Sequence, residues 1–168
     1  MKLFPHLQAN METLDRLGHK IVAWMAAKKP DEQRIKDSVF VNRHGLLDWR
    51  LASGAGMFEQ VPPQAFYRAW DGGDKPHTSA TILVGCNLGY GLNHLLTNTP
   101  DSHKIILVEP HPELLLACLG QTDYRPFVEA KKLHLTLPED DYLWELIKNL
   151  DLQYVYGVIN LRADLPSQ

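Results

Sequence analysis

The sequence predicts an α/β protein: a Rossmann-like, mostly parallel sheet flanked by helices, preceded by an N-terminal helix and a β-hairpin. Three observations carry this expectation. The runs 81–85 and 104–109 are apolar throughout, the pattern of strands covered on both faces. Between them stands a turn rich in glycine and asparagine, Gly85-Cys86-Asn87-Leu88-Gly89-Tyr90-Gly91, opening into a short helix. Downstream, strand-like and helix-like stretches alternate, which implies parallel pairing through right-handed crossovers.

Residues 3–27 read as one amphipathic helix, because Leu7, Met11, Leu14, Ile21, Val22 and Met25 recur at helical spacing along one stripe. The opposite face mixes Glu12, Asp15, Arg16 and Lys20, so the stripe is expected to dock on the sheet or on a partner subunit, not on a membrane. Lys28-Lys29-Pro30-Asp31 ends the helix. From Ile35 the pattern turns to strand; Ser38-Val39-Phe40-Val41, the turn Asn42-Arg43-His44-Gly45 and the return 46–51 predict a hairpin. Pro62-Pro63 restarts the chain into a short helix over 64–70, with Phe66, Tyr67 and Trp70 as aromatic anchors. Asp71-Gly72-Gly73-Asp74-Lys75-Pro76 is the clearest linker, and divides a helix-and-hairpin region, 1–74, from a Rossmann-like βαβ domain, 75–168.

After the central unit, Pro112 suits the first turn of a helix that closes at Gly120, and Asp123 is expected to cap a short helix through Ala130. Residues 133–137 read as a third strand. Asp140 caps a helix whose apolar face is Leu143, Leu146, Ile147 and Leu150, and 153–160 is a fourth strand. The expected strand order is third, second, first, fourth. Rossmann-like sheets usually carry five or more strands, so this one either takes the hairpin at its edge or has partners downstream. Residues 161–168 read as a linker, and the chain is expected to be the front of a longer protein.

Composition excludes several classes. The 168 residues carry 45% hydrophobic and 22% charged residues with a formal net charge of -3, so neither nucleic-acid binding nor a membrane span is expected. Cys86 and Cys118 lack CxxC spacing and read as thiols of a reducing cytoplasm. Eight histidines show no His-x3-His pair, and no metal site is expected.

The turn itself carries the chemistry. Glycines there let the backbone approach a ligand, and the N–H groups at the helix start favour an anion or a polar group. The dinucleotide pattern G-x-G-x-x-G fails because His94 stands where the third glycine belongs, which argues against a nicotinamide dehydrogenase. The stretch also resembles the first motif of S-adenosylmethionine methyltransferases, with Gly85 replacing the acid and Asn87 the first glycine. That reading gives a methyltransferase-like enzyme with a degenerate motif. Asn87, Gly89 and Gly91 would surround the methionine end, Glu109 would bind the ribose diol and Asp140 would lie near the adenine. It lacks an Asn/Asp-Pro-Pro-aromatic pattern at 158–162. Any ligand is expected to be of the nucleoside type, such as S-adenosylmethionine or a CMP-sugar. Glu109 divides two outcomes, a ribose contact or a cap on nearby backbone N–H groups.

The leading helix with Phe4, Asn10 and Leu14, the hairpin, and then ILVGCNLGYGLNHLL followed by IILVEPHPELL resemble the N-terminal domain of the motility-associated factor (Maf) flagellin glycosyltransferases. The likeness falls on Gly85, Leu88, Gly89, Tyr90, Leu92, Glu109 and Pro110 and is dense over 82–115. It implies transfer of a nonulosonic acid from a CMP-activated donor to flagellin Ser or Thr, in the bacterial cytoplasm, by a downstream domain that opens with a Gly-Ser-Gly-Pro-Ser type loop. This sequence has no such loop, so the resemblance implies a non-catalytic front domain with no catalytic residue. Its expected partners are flagellin and the downstream catalytic domain, with self-association as a further expectation.

Overall fold

The structure, a computed structural model, describes residues 3–139, 141, 145 and 159–164. The expected α/β architecture is present. Strands β3 (Ala80–Val84), β4 (Lys104–Val108), β5 (Leu133–Thr136) and β6 (Ile159–Ala163) form a parallel sheet ordered β5-β4-β3-β6. That is the order the alternating pattern predicts. The register aligns Leu83 with Leu107 and Leu107 with Leu135, so one face of the sheet is a continuous buried layer completed by Thr81, Ile105 and Leu133.

Helices α5 (Tyr90–Asn98), α6 (Pro112–Gln121) and α7 (Arg125–Glu129) belong to the crossovers β3 to β4 and β4 to β5. Right-handed crossovers running in the same direction put their helices on the same side of a sheet. Leu92, Leu95, Leu96, Leu115, Leu119 and Val128 accordingly join Leu83, Ile105 and Leu107 in one hydrophobic core. The expected cap at Asp123 is displaced by one residue: Tyr124 is the N-cap of α7 and makes no side-chain cap bond, while Asp123 just before it accepts from the backbone N–H of Arg125 at 3.1 Å.

The N-terminal expectation needs two corrections. The helix over 3–27 is two helices, α1 (Leu7–Arg16) and α2 (Ile21–Lys28), because Gly18 takes φ of 76° and its N–H turns back to the Asp15 carbonyl. The apolar stripe therefore folds around the core. Leu14, Ile21 and Met25 are all buried, and α1 packs on α6 and α7. The strand expected from Ile35 begins only at Val39. Asp31 caps a helix, α3 (Glu32–Ser38), by accepting from Gln33 and Arg34 at 3.0 and 3.2 Å, and that local gain outweighs the β-prone composition.

The hairpin is as expected, β1 (Val39–Val41) against β2 (Leu47–Trp49), but it forms its own two-stranded sheet and does not extend the main one. Buried Asp48 organises the loop behind it, accepting from Asn42 Nδ2 at 2.9 Å and from the Phe58 N–H at 3.1 Å. Gly56 lies against the same carboxylate, where a side chain would collide with it. The short helix after Pro62 is α4 (Pro63–Tyr67), ending before Trp70. The helix expected from Asp140 and the front of the fourth strand lie outside the described residues, and the strand runs on to Ala163, so 161–163 pair with β3 where a linker is expected.

Candidate functional site

In an open parallel sheet, ligands bind beyond the carboxyl ends of the strands. Here that region is formed by Gly85 after β3, Glu109 after β4 and Asp164 after β6. The turn keeps its predicted geometry: Gly85, Asn87 and Gly89 have φ of 88°, 46° and 96°, and Gly89 stands at the N-cap of α5. Asparagine tolerates the left-handed region through its short polar side chain, so the turn survives without a glycine at Asn87.

Where side chains would project from Gly89 and Gly91, the protein's own side chains pack against the turn. A Cβ on Gly89 would stand 2.5 Å from Tyr124 Oη and 3.2 Å from Cys118 Sγ. A Cβ on Gly91 would stand 2.8 Å from both Trp70 Cζ3 and Tyr67 Cε1. These glycines therefore permit close approach of aromatic rings, which is the same steric opportunity a cofactor would use. Around them Phe58, Phe66, Tyr67, Trp70 and Tyr90 form an edge-to-face cluster, with Phe58 and Tyr90 centroids 5.3 Å apart and Tyr67 and Trp70 centroids 4.8 Å apart.

Every hydroxyl in this cluster is engaged. Tyr67 Oη donates to Asp164 Oδ1 at 2.7 Å, Tyr90 Oη donates to the Leu47 carbonyl at 2.6 Å, and Tyr124 Oη donates to Asn93 Oδ1 at 2.7 Å. Because the Tyr124 proton goes to Asn93, the Cys118 thiol 3.4 Å away is the donor in their contact. Burial is the main cause holding the Tyr67 phenol above its ordinary range, with the Asp164 charge second, and burial pushes Tyr90 up to about 12. Burial likewise raises the Cys86 thiol and the Tyr124 phenol, the neighbouring Cys118 adding to both. These groups stay protonated at neutral pH, and the buried thiol has the low reactivity of a structural cysteine.

Glu109 is 2% exposed, and both of its oxygens are committed to backbone. Oε2 accepts from the Cys86 N–H and Oε1 from the His111 N–H, each at 2.9 Å. The carboxylate thus ties the glycine turn to the start of α6. Of the residues the sequence singles out, Asn87, Gly89, Gly91 and Glu109 come together at this end of the sheet, and Asp140 lies outside the described residues. Asn87 is 3% exposed and hydrogen-bonds with Tyr67. Sequence reasoning does not find Asp164, nor that Tyr67 and Trp70, legible as helix anchors, reach across to Gly91. Contacts so distant in sequence leave no local periodicity.

A separate concavity of about 160 Å³ opens between α3, β2 and the start of α6, lined by Arg34, Ile35, Trp49, His111, Glu113 and Leu114. No group of three or more His, Cys, Asp or Glu side chains among the described residues is arranged to hold a metal ion. No described helix is long and apolar enough to cross a membrane.

Comparison with known proteins agrees with this architecture. The structure of the Maf glycosyltransferase from Magnetospirillum magneticum AMB-1 superimposes with a TM-score of 0.57 at 17% identity, over 96% of this chain and 32% of that one. At that identity the likeness is one of fold, and the chain spans about a third of that relative's length. No curated protein matches the chain. Residues 68–139, which hold the glycine turn, Glu109 and the aromatic contacts of Trp70 and Tyr124, match the family model of the glycosyltransferase Maf N-terminal domain.

Proposed function

We propose that the chain is the non-catalytic N-terminal domain of a flagellin glycosyltransferase. In this reading a downstream domain transfers a nonulosonic acid from a CMP-activated donor to flagellin Ser or Thr in the cytoplasm, and the front domain serves placement, assembly or acceptor recognition. One observation carries it. The glycine turn that would bind a nucleoside is packed by Tyr67, Trp70 and Tyr124, and the acid that would hold the ribose is spent on two backbone N–H groups. A cofactor would have to displace buried aromatic side chains and break two charge-assisted hydrogen bonds, each contributing roughly 1.5 to 3 kcal/mol.

Two measurements test this. Incubating the chain with CMP-activated nonulosonic acid and flagellin should leave the flagellin mass unchanged, and a glycosylated product would overturn the non-catalytic assignment. Calorimetric titration with S-adenosylmethionine, S-adenosylhomocysteine and CMP should give no binding heat. A clear micromolar isotherm for either adenosyl ligand would instead favour the methyltransferase-like reading.

A further inference from the structure

Resting on the front-domain reading, we propose that the open edge and bare face of β6 seat the polypeptide that follows residue 168. It adds a further strand beside β6 and lays apolar side chains over Ile159 and Leu161. β6 is the last strand in the order β5-β4-β3-β6, so among the described residues the N–H and C=O groups on its outer side meet no strand.

The two faces of β6 differ. Asn160 Nδ2 donates to the Gly72 carbonyl at 2.9 Å and Arg162 Nη2 to Asp71 Oδ1 at 3.2 Å, while the guanidinium stands 5.7 Å from the Trp70 ring centroid. Linker residues 70–72 therefore occupy that face. On the other face Leu161 is 73% exposed and Ile159 38%, and Val84, paired with Ala163 across the β3 edge, extends the bare patch at 38%. Parallel sheets are normally covered on both faces, and free edges are normally blunted by proline, a bulge or outward lysine. β6 contains no proline or lysine, and its one cation is directed onto Asp71 and Trp70. An unblunted edge beside an apolar patch is a template for strand addition.

Chain length identifies the occupant. The Maf relative that shares this fold over 96% of the chain has only 32% of its own length matched. A polypeptide of that kind has ample chain to cover the patch, and it would leave the sheet from β6, which ends at Ala163.

Hydrogen exchange at residues 159–163, measured on the 168-residue chain and on the longer polypeptide of its reading frame, tests the proposal. The outward amides should exchange at least about tenfold more slowly in the longer polypeptide. Leu161→Asp should abolish that slowing yet leave the melting temperature of the 168-residue chain unchanged, because the side chain is already 73% exposed there. Leu161→Ser is the milder variant, expected to weaken the slowing in the same direction. Equal exchange in both polypeptides overturns the docking and leaves the front-domain reading intact, whereas a reading frame that stops at Gln168 overturns that reading itself. Slow exchange in the 168-residue chain that grows with concentration, together with a dimer mass, assigns the surface to a second copy and overturns the proposal.

Discussion

Glu109 illustrates how one carboxylate serves two segments. Its oxygens accept from Cys86 in the glycine turn and His111 before α6, so the negative charge satisfies two buried donors at once. Glutamine at this position keeps the shape but offers one acceptor oxygen and sets its amide hydrogens against the second N–H. Glu109→Gln should therefore lower unfolding free energy by about 1 to 3 kcal/mol, measured by urea denaturation with no ligand present. Unchanged stability would show that the two N–H groups find other acceptors and that the carboxylate is available to a ligand. Asn10 does comparable work. Its Nδ2 donates to the Leu119 and Thr122 carbonyls, both at 2.7 Å, and its Oδ1 accepts from the Tyr124 N–H at 2.9 Å, fixing α1 to the end of α6. The resemblance singles out Asn10 and Phe4, and both meet this segment, with Phe4 against Gly120.

At the scale of elements, helix α5 ends on a buried cation. Lys132, 3% exposed, reaches from the start of β5 and donates to the carbonyls of Leu96 and Thr99 at 2.9 and 2.8 Å. Burial lowers its pKa, but the last carbonyls of a helix lack intrahelical donors and carry partial negative charge, which favours an ammonium there. Lys132→Met preserves the aliphatic stem and removes the donor. It should cost about 1 to 3 kcal/mol in guanidinium unfolding, and a neutral result would mean that water satisfies both carbonyls. In the sequence Lys131 and Lys132 stand side by side with nothing to distinguish them. Only the reach of Lys132 to the carbonyls at the end of α5 shows that one of the two is structural.

At the scale of the molecule, two neutral histidines, His103 buried and His134 half-buried, make the fold sensitive to acid. His103 is fully buried between β3 and the linker, with Nδ1 3.0 Å from the Pro76 carbonyl and Nε2 2.7 Å from Thr81 Oγ1. The carbonyl can only accept, so Nδ1 carries the proton and Nε2 accepts from the threonine hydroxyl. Burial lowers the pKa of His103, with the Lys132 charge adding, and burial lowers that of His134 from 6.5 to about 4. Above pH 6.5 these rings are neutral both folded and unfolded and contribute no pH dependence. Below it the unfolded chain takes up protons that the folded chain resists. Stability should then fall by about 1.4 kcal/mol per pH unit for each such ring, down to its folded pKa. Urea midpoints at pH 7.5, 5.5 and 4.5 measure this, and His103→Gln should flatten part of the slope. A midpoint that is flat between pH 7 and 5 would refute it.

The sequence by itself determined the parallel sheet, its strand order, the hairpin and the left-handed turn at Gly85, Asn87 and Gly89, because apolar runs, alternation and glycine placement are local properties of the chain. It misjudged the break at Gly18 and the start of β1, where one backbone angle and one cap outweigh composition. Tertiary structure decided what packs against the glycines of the turn. The rings of Tyr67, Trp70 and Tyr124 reach Gly89 and Gly91 from elements some 20 to 35 residues away, and close packing leaves one volume to one occupant. A glycine signals that something must come near it, but whether that is a ligand or the protein itself depends on contacts that only the folded chain makes.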